Sequence, residues 1–185
     1  MPLRPYQVKT IDMLRQTFMQ GFMSACLVMP TGSGKTVVFA EIARSAAAKG
    51  RYILILVHRR ELVNQASAKL TDAGVEHGII AAGFPSSDHK VQVASVQTLI
   101  RRLTTTDFKP DLIIIDEAHH AVAGSWEKIT ARWDHAKRIG VTATPSRLDG
   151  RGLGSHFETL VSGPSVEQLV NGGFLLLRKA RILCL

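Results

Sequence analysis

Short apolar runs alternate with amphipathic stretches along this chain. Tyr52-Ile53-Leu54-Ile55-Leu56-Val57 and Asp111-Leu112-Ile113-Ile114-Ile115 are near-continuous apolar runs of strand length, the pattern of strands buried on both faces of a parallel sheet. Cys26-Leu27-Val28-Met29 is a shorter run of the same kind, and Gly78-Ile79-Ile80-Ala81, Val91-Gln92-Val93-Ala94 and Arg138-Ile139-Gly140-Val141 add candidate strands. Between them the period turns helical. Val8, Ile11, Leu14 and Phe18 make a stripe that Gly21 stops, and Val37, Val38, Ala40, Ile42 and Ala43 continue a second helix that ends at Lys49-Gly50. Residues 60–70 form a third, with loops at Pro85-Ser86-Ser87-Asp88 and Thr104-Thr105-Thr106. Strands alternating with helices predict an α/β domain with a three-layer, mainly parallel sheet.

After Pro145 the character changes. Arg147, Asp149, Gly150, Arg151, Gly152 and Gly154 make a polar stretch, followed by a short helix near Ser165 to Asn171 that Gly172-Gly173 ends. Trp126 and Trp133 lie seven residues apart, on one helical face, which favours packing over base stacking.

A chain of 185 residues at 45% hydrophobic composition suits one domain with a substantial core. The net charge of +8 suits a polyanionic partner. Two cysteines, Cys26 and Cys184, supply neither a disulfide framework nor a paired zinc motif. No apolar run approaches the ~20 residues that span a bilayer, and no signal segment precedes Leu3, so a cytoplasmic protein without a membrane partner is expected.

The chemistry concentrates at two places. Thr31-Gly32-Ser33-Gly34-Lys35-Thr36 follows a strand and opens a helix, the context of a phosphate-binding loop. Gly32 and Gly34 let backbone N–H groups turn inward, the helix start adds its positive end, Lys35 reaches the β and γ phosphates, and Thr36 can ligate Mg²⁺. Met29 stands where the strict pattern wants glycine. Far along the chain, the Asp111 to Ile115 strand delivers Asp116-Glu117 at its C-terminal end, where ligands of such sheets bind. Asp116 is suited to holding Mg²⁺ and Glu117 to activating the water that attacks the γ-phosphate. Acids after a strand also occur simply because they favour a helix start.

With both motifs in place, Asp116-Glu117-Ala118-His119 resembles a DEAH box, and the chain resembles the first motor lobe of a superfamily-two helicase or translocase, with the RecA-like fold of P-loop NTPases. Leu3-Arg4-Pro5-Tyr6-Gln7 resembles the family's adenine-reading segment, which implies ATP as the nucleotide and Arg4 and Gln7 beside Thr31 to Thr36 in its site. The segment from Val57 through Arg59 and Arg60 to Leu62, and Ser95-Val96-Gln97-Thr98-Leu99, resemble segments that touch nucleic-acid backbone, which implies contacts from Arg59, Arg60, Ser95, Gln97 and Thr98. Gly140-Val141-Thr142-Ala143-Thr144-Pro145 resembles the motif that couples nucleotide state to the nucleic-acid site. The resemblance gives His119, Thr142, Ala143 and Thr144 that coupling role. The wording is most similar to the DNA-directed branch with restriction-enzyme motor subunits, RadD-like and phage-type helicases.

Residues 1–146 are thus expected to form the ATP-binding lobe and 147–185 an extension toward a second lobe, which a partner or separate subunit would supply with its arginine finger. Two rivals remain open: a lobe that binds ATP or DNA without turnover, and a small phosphate-loop kinase, for which no acceptor pocket or lid is evident.

Overall fold

The computed structural model describes residues 2–58, 60–120, 124–144, 153 and 156–175. Arg59, the 145–152 stretch with its polar residues, Gly154 and residues 176–185 lie outside the described residues.

The strands are β1 (Ser24–Val28), β2 (Ile53–Val57), β3 (Gly78–Ile80), β4 (Val91–Ser95), β5 (Leu112–Asp116), β6 (Lys137–Thr142) and β7 (Thr159–Ser162). They form one sheet in the order β3-β4-β2-β5-β6-β1-β7, and every pairing is parallel. The helices are α1 (Pro5–Met19), α2 (Lys35–Ala48), α3 (Arg60–Asp72), α4 (Val96–Arg102), α5 (Ser125–Arg132) and α6 (Val166–Asn171), with a 3-10 turn at Ala118–His120. This is the expected three-layer α/β architecture, RecA-like in fold.

Period-two alternation divides the core. Ile53, Ile55 and Val57 of β2 pack with Ile11 and Leu14 of α1, Val38 and Phe39 of α2, and Val63 and Leu70 of α3. Leu54 and Leu56 face the opposite layer, with Leu99 of α4 and Trp126 and Ile129 of α5. Trp133 is buried in that second cluster, so both tryptophans pack rather than stack on a ligand.

Three local differences from the sequence pattern have physical causes. Val8 is exposed because the buried face of α1 begins with Gln7 and Thr10, which turn polar groups toward the phosphate loop and the helix backbone. Asp111 precedes β5, and its carboxylate accepts from the Tyr52 N–H (2.8 Å) and from Arg51 (3.2 Å), bracing the N-terminal end of the sheet. The four-residue β7, unmarked in the sequence reading, pairs with β1 in register Ala25↔Thr159 to Val28↔Ser162. Among the described residues no helix is long and apolar enough to cross a membrane.

Candidate nucleotide site

A parallel sheet places every strand's C-terminal end on one edge, and here that edge gathers the chemistry. β1 leads through Met29 into the phosphate loop. Gly32 (φ 81°) and Gly34 (φ 83°) both hold left-handed backbone, which glycine adopts without strain. A Cβ on Gly34 would also stand 2.6 Å from Gln7 Nε2, so a side chain there would displace the Gln7 amide. Ser33 is buried. Its N–H and hydroxyl both donate to Pro30 O (3.2 and 2.7 Å), closing the loop on itself. Lys35 and Thr36 then open α2, half-buried, while Thr31 stays exposed.

The start of α1 braces this loop from outside. Gln7, only 4% exposed, accepts from the Arg4 N–H through Oε1 (2.9 Å) and approaches Ser33 O through Nε2 (3.4 Å). Tyr6 Oη donates to the same carbonyl at 2.8 Å. The exposed Arg4 guanidinium reaches Tyr6 Oη and Phe174 O. The structure therefore sets Gln7 against the loop and Arg4 one residue outside it, against Gln7, Tyr6 and Phe174. It adds Tyr6, which was legible only as part of the Leu3 to Gln7 segment, and Phe174, for which the sequence carries no signal.

The acidic pair lies at the end of β5. Burial pushes the Asp116 carboxyl up to about 6, and the Glu117 charge pushes it the same way. The hydrogen bond from the Glu117 N–H and the Lys35 ammonium oppose that rise. Asp116 is half-buried at the strand's end, within electrostatic reach of Lys35. Its carboxylate and the Thr36 hydroxyl are hard oxygen donors of the kind that suits Mg²⁺. Among the described residues no group of three His, Cys, Asp or Glu forms an all-protein cage. Glu117 is the single described non-glycine residue with positive φ (50°), a strained turn at the strand's end.

Next to it stands a polar relay. His119 Nδ1 is 3.3 Å from Glu117 Oε2 and 2.8 Å from Thr142 Oγ1. The Thr142 hydroxyl, fully buried, donates to Thr144 O (2.9 Å) and accepts from the Thr144 N–H (3.2 Å). Since that hydroxyl's one proton goes to Thr144 O, Nδ1 carries the hydrogen toward both oxygens. Ala143 is half-buried beside them, and Thr144 is exposed.

Of the residues expected at nucleic acid, Arg60 begins α3, Ser95 ends β4 and Gln97 and Thr98 lie in α4, while Arg59 lies outside the described residues. Val57 of β2 is in register with Ser95 of β4, so α3 and α4 both follow the C-terminal ends of adjacent strands. Ser95 is buried, Thr98 half-buried and Gln97 exposed.

Comparison with known proteins agrees with this geometry. Residues 1–147 match the family described as type III restriction enzyme, res subunit (ResIII). A 51.5 kDa protein of Lactococcus phage (isolate 7-9) is 37% identical over 142 residues, 77% of this chain and 29% of that protein. The Saccharomyces cerevisiae protein IRC3, named for an ATP-dependent helicase, is 37% identical over 196 residues, 94% of this chain and 28% of that protein. The chain spans under a third of the length of these two relatives. In fold it is similar to the UvsW helicase from bacteriophage T4 (TM-score 0.70, 19% identity, 88% of this chain and 60% of that one). With the motifs, the parallel sheet and the family match in agreement, the chain belongs to the ResIII family and has the N-terminal RecA-like lobe of a superfamily-two helicase.

Proposed function

We propose that this lobe binds Mg-ATP at the phosphate loop and hydrolyses it as part of a DNA-directed motor of the DEAH type. The observation that carries the reading is the sheet order: β1, which leads into the phosphate loop, and β5, which ends in Asp116, both flank β6 in parallel, so loop and acidic pair meet at one C-terminal edge. Gly32, Ser33 and Gly34 present backbone to the phosphates, and Lys35 sets a positive charge at the β and γ groups. Mg²⁺, when bound by Thr36 and Asp116, would neutralise charge developing on the phosphates. Glu117 orients the attacking water and takes its proton as the water oxygen bonds to the γ-phosphorus. The bond to the β–γ bridging oxygen breaks, and its electron pair leaves with ADP. His119 ties Glu117 to Thr142, which supports a route from nucleotide state to the nucleic-acid segments.

A second lobe, on a partner subunit or elsewhere in a longer polypeptide, would complete the site with an arginine. Nucleic acid is gripped through its backbone at Arg59, Arg60, Ser95, Gln97 and Thr98, with DNA favoured by the names of the relatives. Those names include a type I restriction enzyme EcoKI endonuclease subunit of Escherichia coli and a DNA 3'-5' translocase of Sulfurisphaera tokodaii.

Two variants separate binding from chemistry. Lys35→Ala abolishes or strongly weakens ATP binding, whereas Glu117→Gln keeps binding and stops phosphate release. Hydrolysis by Glu117→Gln equal to wild type, above a contaminant control, refutes the water-activating assignment.

A further inference from the structure

The edge of the sheet opposite the nucleotide site carries a second concavity. α1 and α2 begin beside the phosphate loop and run away from it, so Met19 at the end of α1 and Lys49 just after α2 meet Leu112 and Lys137, which begin β5 and β6. Together they line a cavity of about 580 Å³. Its floor is apolar, made by Leu14, Phe18, Ile42, Leu112 and Ile139, all buried or half-buried. Its rim is cationic, with Arg15, Lys49, Arg51 and Lys137 exposed around the floor and His135 beside them. Arg15 is tied to Asp12 (2.9 Å) and Arg51 to Asp111 (3.2 Å). Lys49 and Lys137 have no carboxylate partner among the described residues. The Lys137 ammonium instead rests 5.2 Å from the centroid of the Phe18 ring, and Met19 is left 86% exposed.

We propose that this cavity docks a short acidic amphipathic segment of a partner protein, with a bulky apolar side chain on the floor and carboxylates on Lys49 and Lys137. Charge and apolarity together select that occupant. The apolar anchor supplies affinity, and the rim cations supply steering and register. A phosphate backbone would satisfy the cations yet leave the floor of Leu14, Phe18 and Ile42 uncovered. A second copy of the chain brings a net charge of +8 to a cationic rim, and residues 176–185 bring Arg178, Lys179 and Arg181 with no acid. An ammonium has three donor protons, so Lys137 can lie over the Phe18 ring and still donate to a carboxylate. The cavity lies at the N-terminal edge of the parallel sheet and the phosphate loop at the C-terminal edge, so a docked segment leaves the loop open. The proposal is therefore independent of the nucleotide reading.

Three labelled peptides test it by fluorescence anisotropy. Two are amphipathic with leucine and phenylalanine on one face, and carry either glutamate or lysine on the other; the third keeps the glutamates and has serine in place of the apolar residues. The wild-type chain is expected to bind the apolar glutamate peptide and to bind the other two much more weakly. Lys49→Glu with Lys137→Glu is expected to weaken that peptide about tenfold and to gain binding of the lysine peptide, a gain that an unfolded chain cannot give. Met19→Glu, at an exposed position, is expected to weaken the glutamate peptide as well. Lack of wild-type binding, full affinity in either variant, or equal binding of the serine peptide overturns the proposal. Displacement of the glutamate peptide by duplex DNA or by laurate overturns it too, and assigns the face to nucleic acid or to an anionic lipid.

Discussion

His119 Nδ1 and Thr142 Oγ1 lie 2.8 Å apart, joining the turn after β5 to the end of β6. Glu117 Oε2 is 3.3 Å from the same nitrogen, so one face of the imidazole meets both the Glu117 carboxylate and the buried threonine. Removing it should alter communication more than chemistry. His119→Ala and Thr142→Val are each expected to lower nucleic-acid-stimulated hydrolysis about tenfold, with basal hydrolysis much less affected. The double variant should be no worse than either single one, since both break one link. Additive losses, measured with a second helicase lobe supplied, would show that the two residues act separately.

Gln7 is expected to govern the choice of purine. Its amide offers adenine a donor and an acceptor, whereas guanine presents the opposite pattern at the six position. Gln7→Ala should reduce the preference for ATP over GTP in a competition titration. It should also cost some stability, because the buried amide caps α1 at the Arg4 N–H and touches Ser33 O. An unchanged ATP-to-GTP ratio with lowered stability would reduce Gln7 to a structural brace.

Gly140 tests packing under the site. It sits in β6 between Cys26 of β1 and Ile115 of β5, and an added Cβ would fall 2.4 Å from Phe157 Cζ. Phe157 is itself buried. Gly140→Ala is expected to destabilise the fold by about 1–3 kcal/mol, the usual cost of overpacking. Phe157→Leu in the same chain should recover part of that loss in denaturant melts. Full stability of Gly140→Ala would mean the ring has room to move.

Nucleic-acid binding should follow salt rather than sequence. Arg59→Ala with Arg60→Ala is expected to lower affinity across unrelated DNA duplexes and to reduce the salt slope by roughly 0.9 per lost phosphate contact. Fluorescence anisotropy at several ionic strengths reads both effects. An unaltered slope would remove this surface from the interface.

The central strands were legible because they are buried on both faces: all of Ile53–Val57 is inaccessible, and a parallel sheet leaves such runs unbroken. The phosphate loop and the acidic pair were legible because their chemistry demands fixed residue types at fixed spacing. β7 was not. As an edge strand it buries Val161 while Leu160 stays half exposed, so its four residues leave no alternation to detect. Val8 looked like core because helical period alone cannot register that a buried glutamine has taken the inner face. Phe174 meets Arg4 across 170 residues of sequence, a contact that no local pattern encodes.

The sheet order has a metric consequence. β6 lies between β1 and β5, and beyond the end of β1 the Met29 N–H still donates to Thr142 O at 2.9 Å. Two interstrand steps therefore separate the strand that ends in the loop from the strand that ends in the acids, about 10 Å in all. That span is a gauge: backbone hydrogen bonds, rather than side chains, hold the two halves of the cleft at a width that a terminal phosphate and a cation can bridge. Side-chain variants can empty the cleft of chemistry while its calibre stays as the ladder of β1, β6 and β5 has set it.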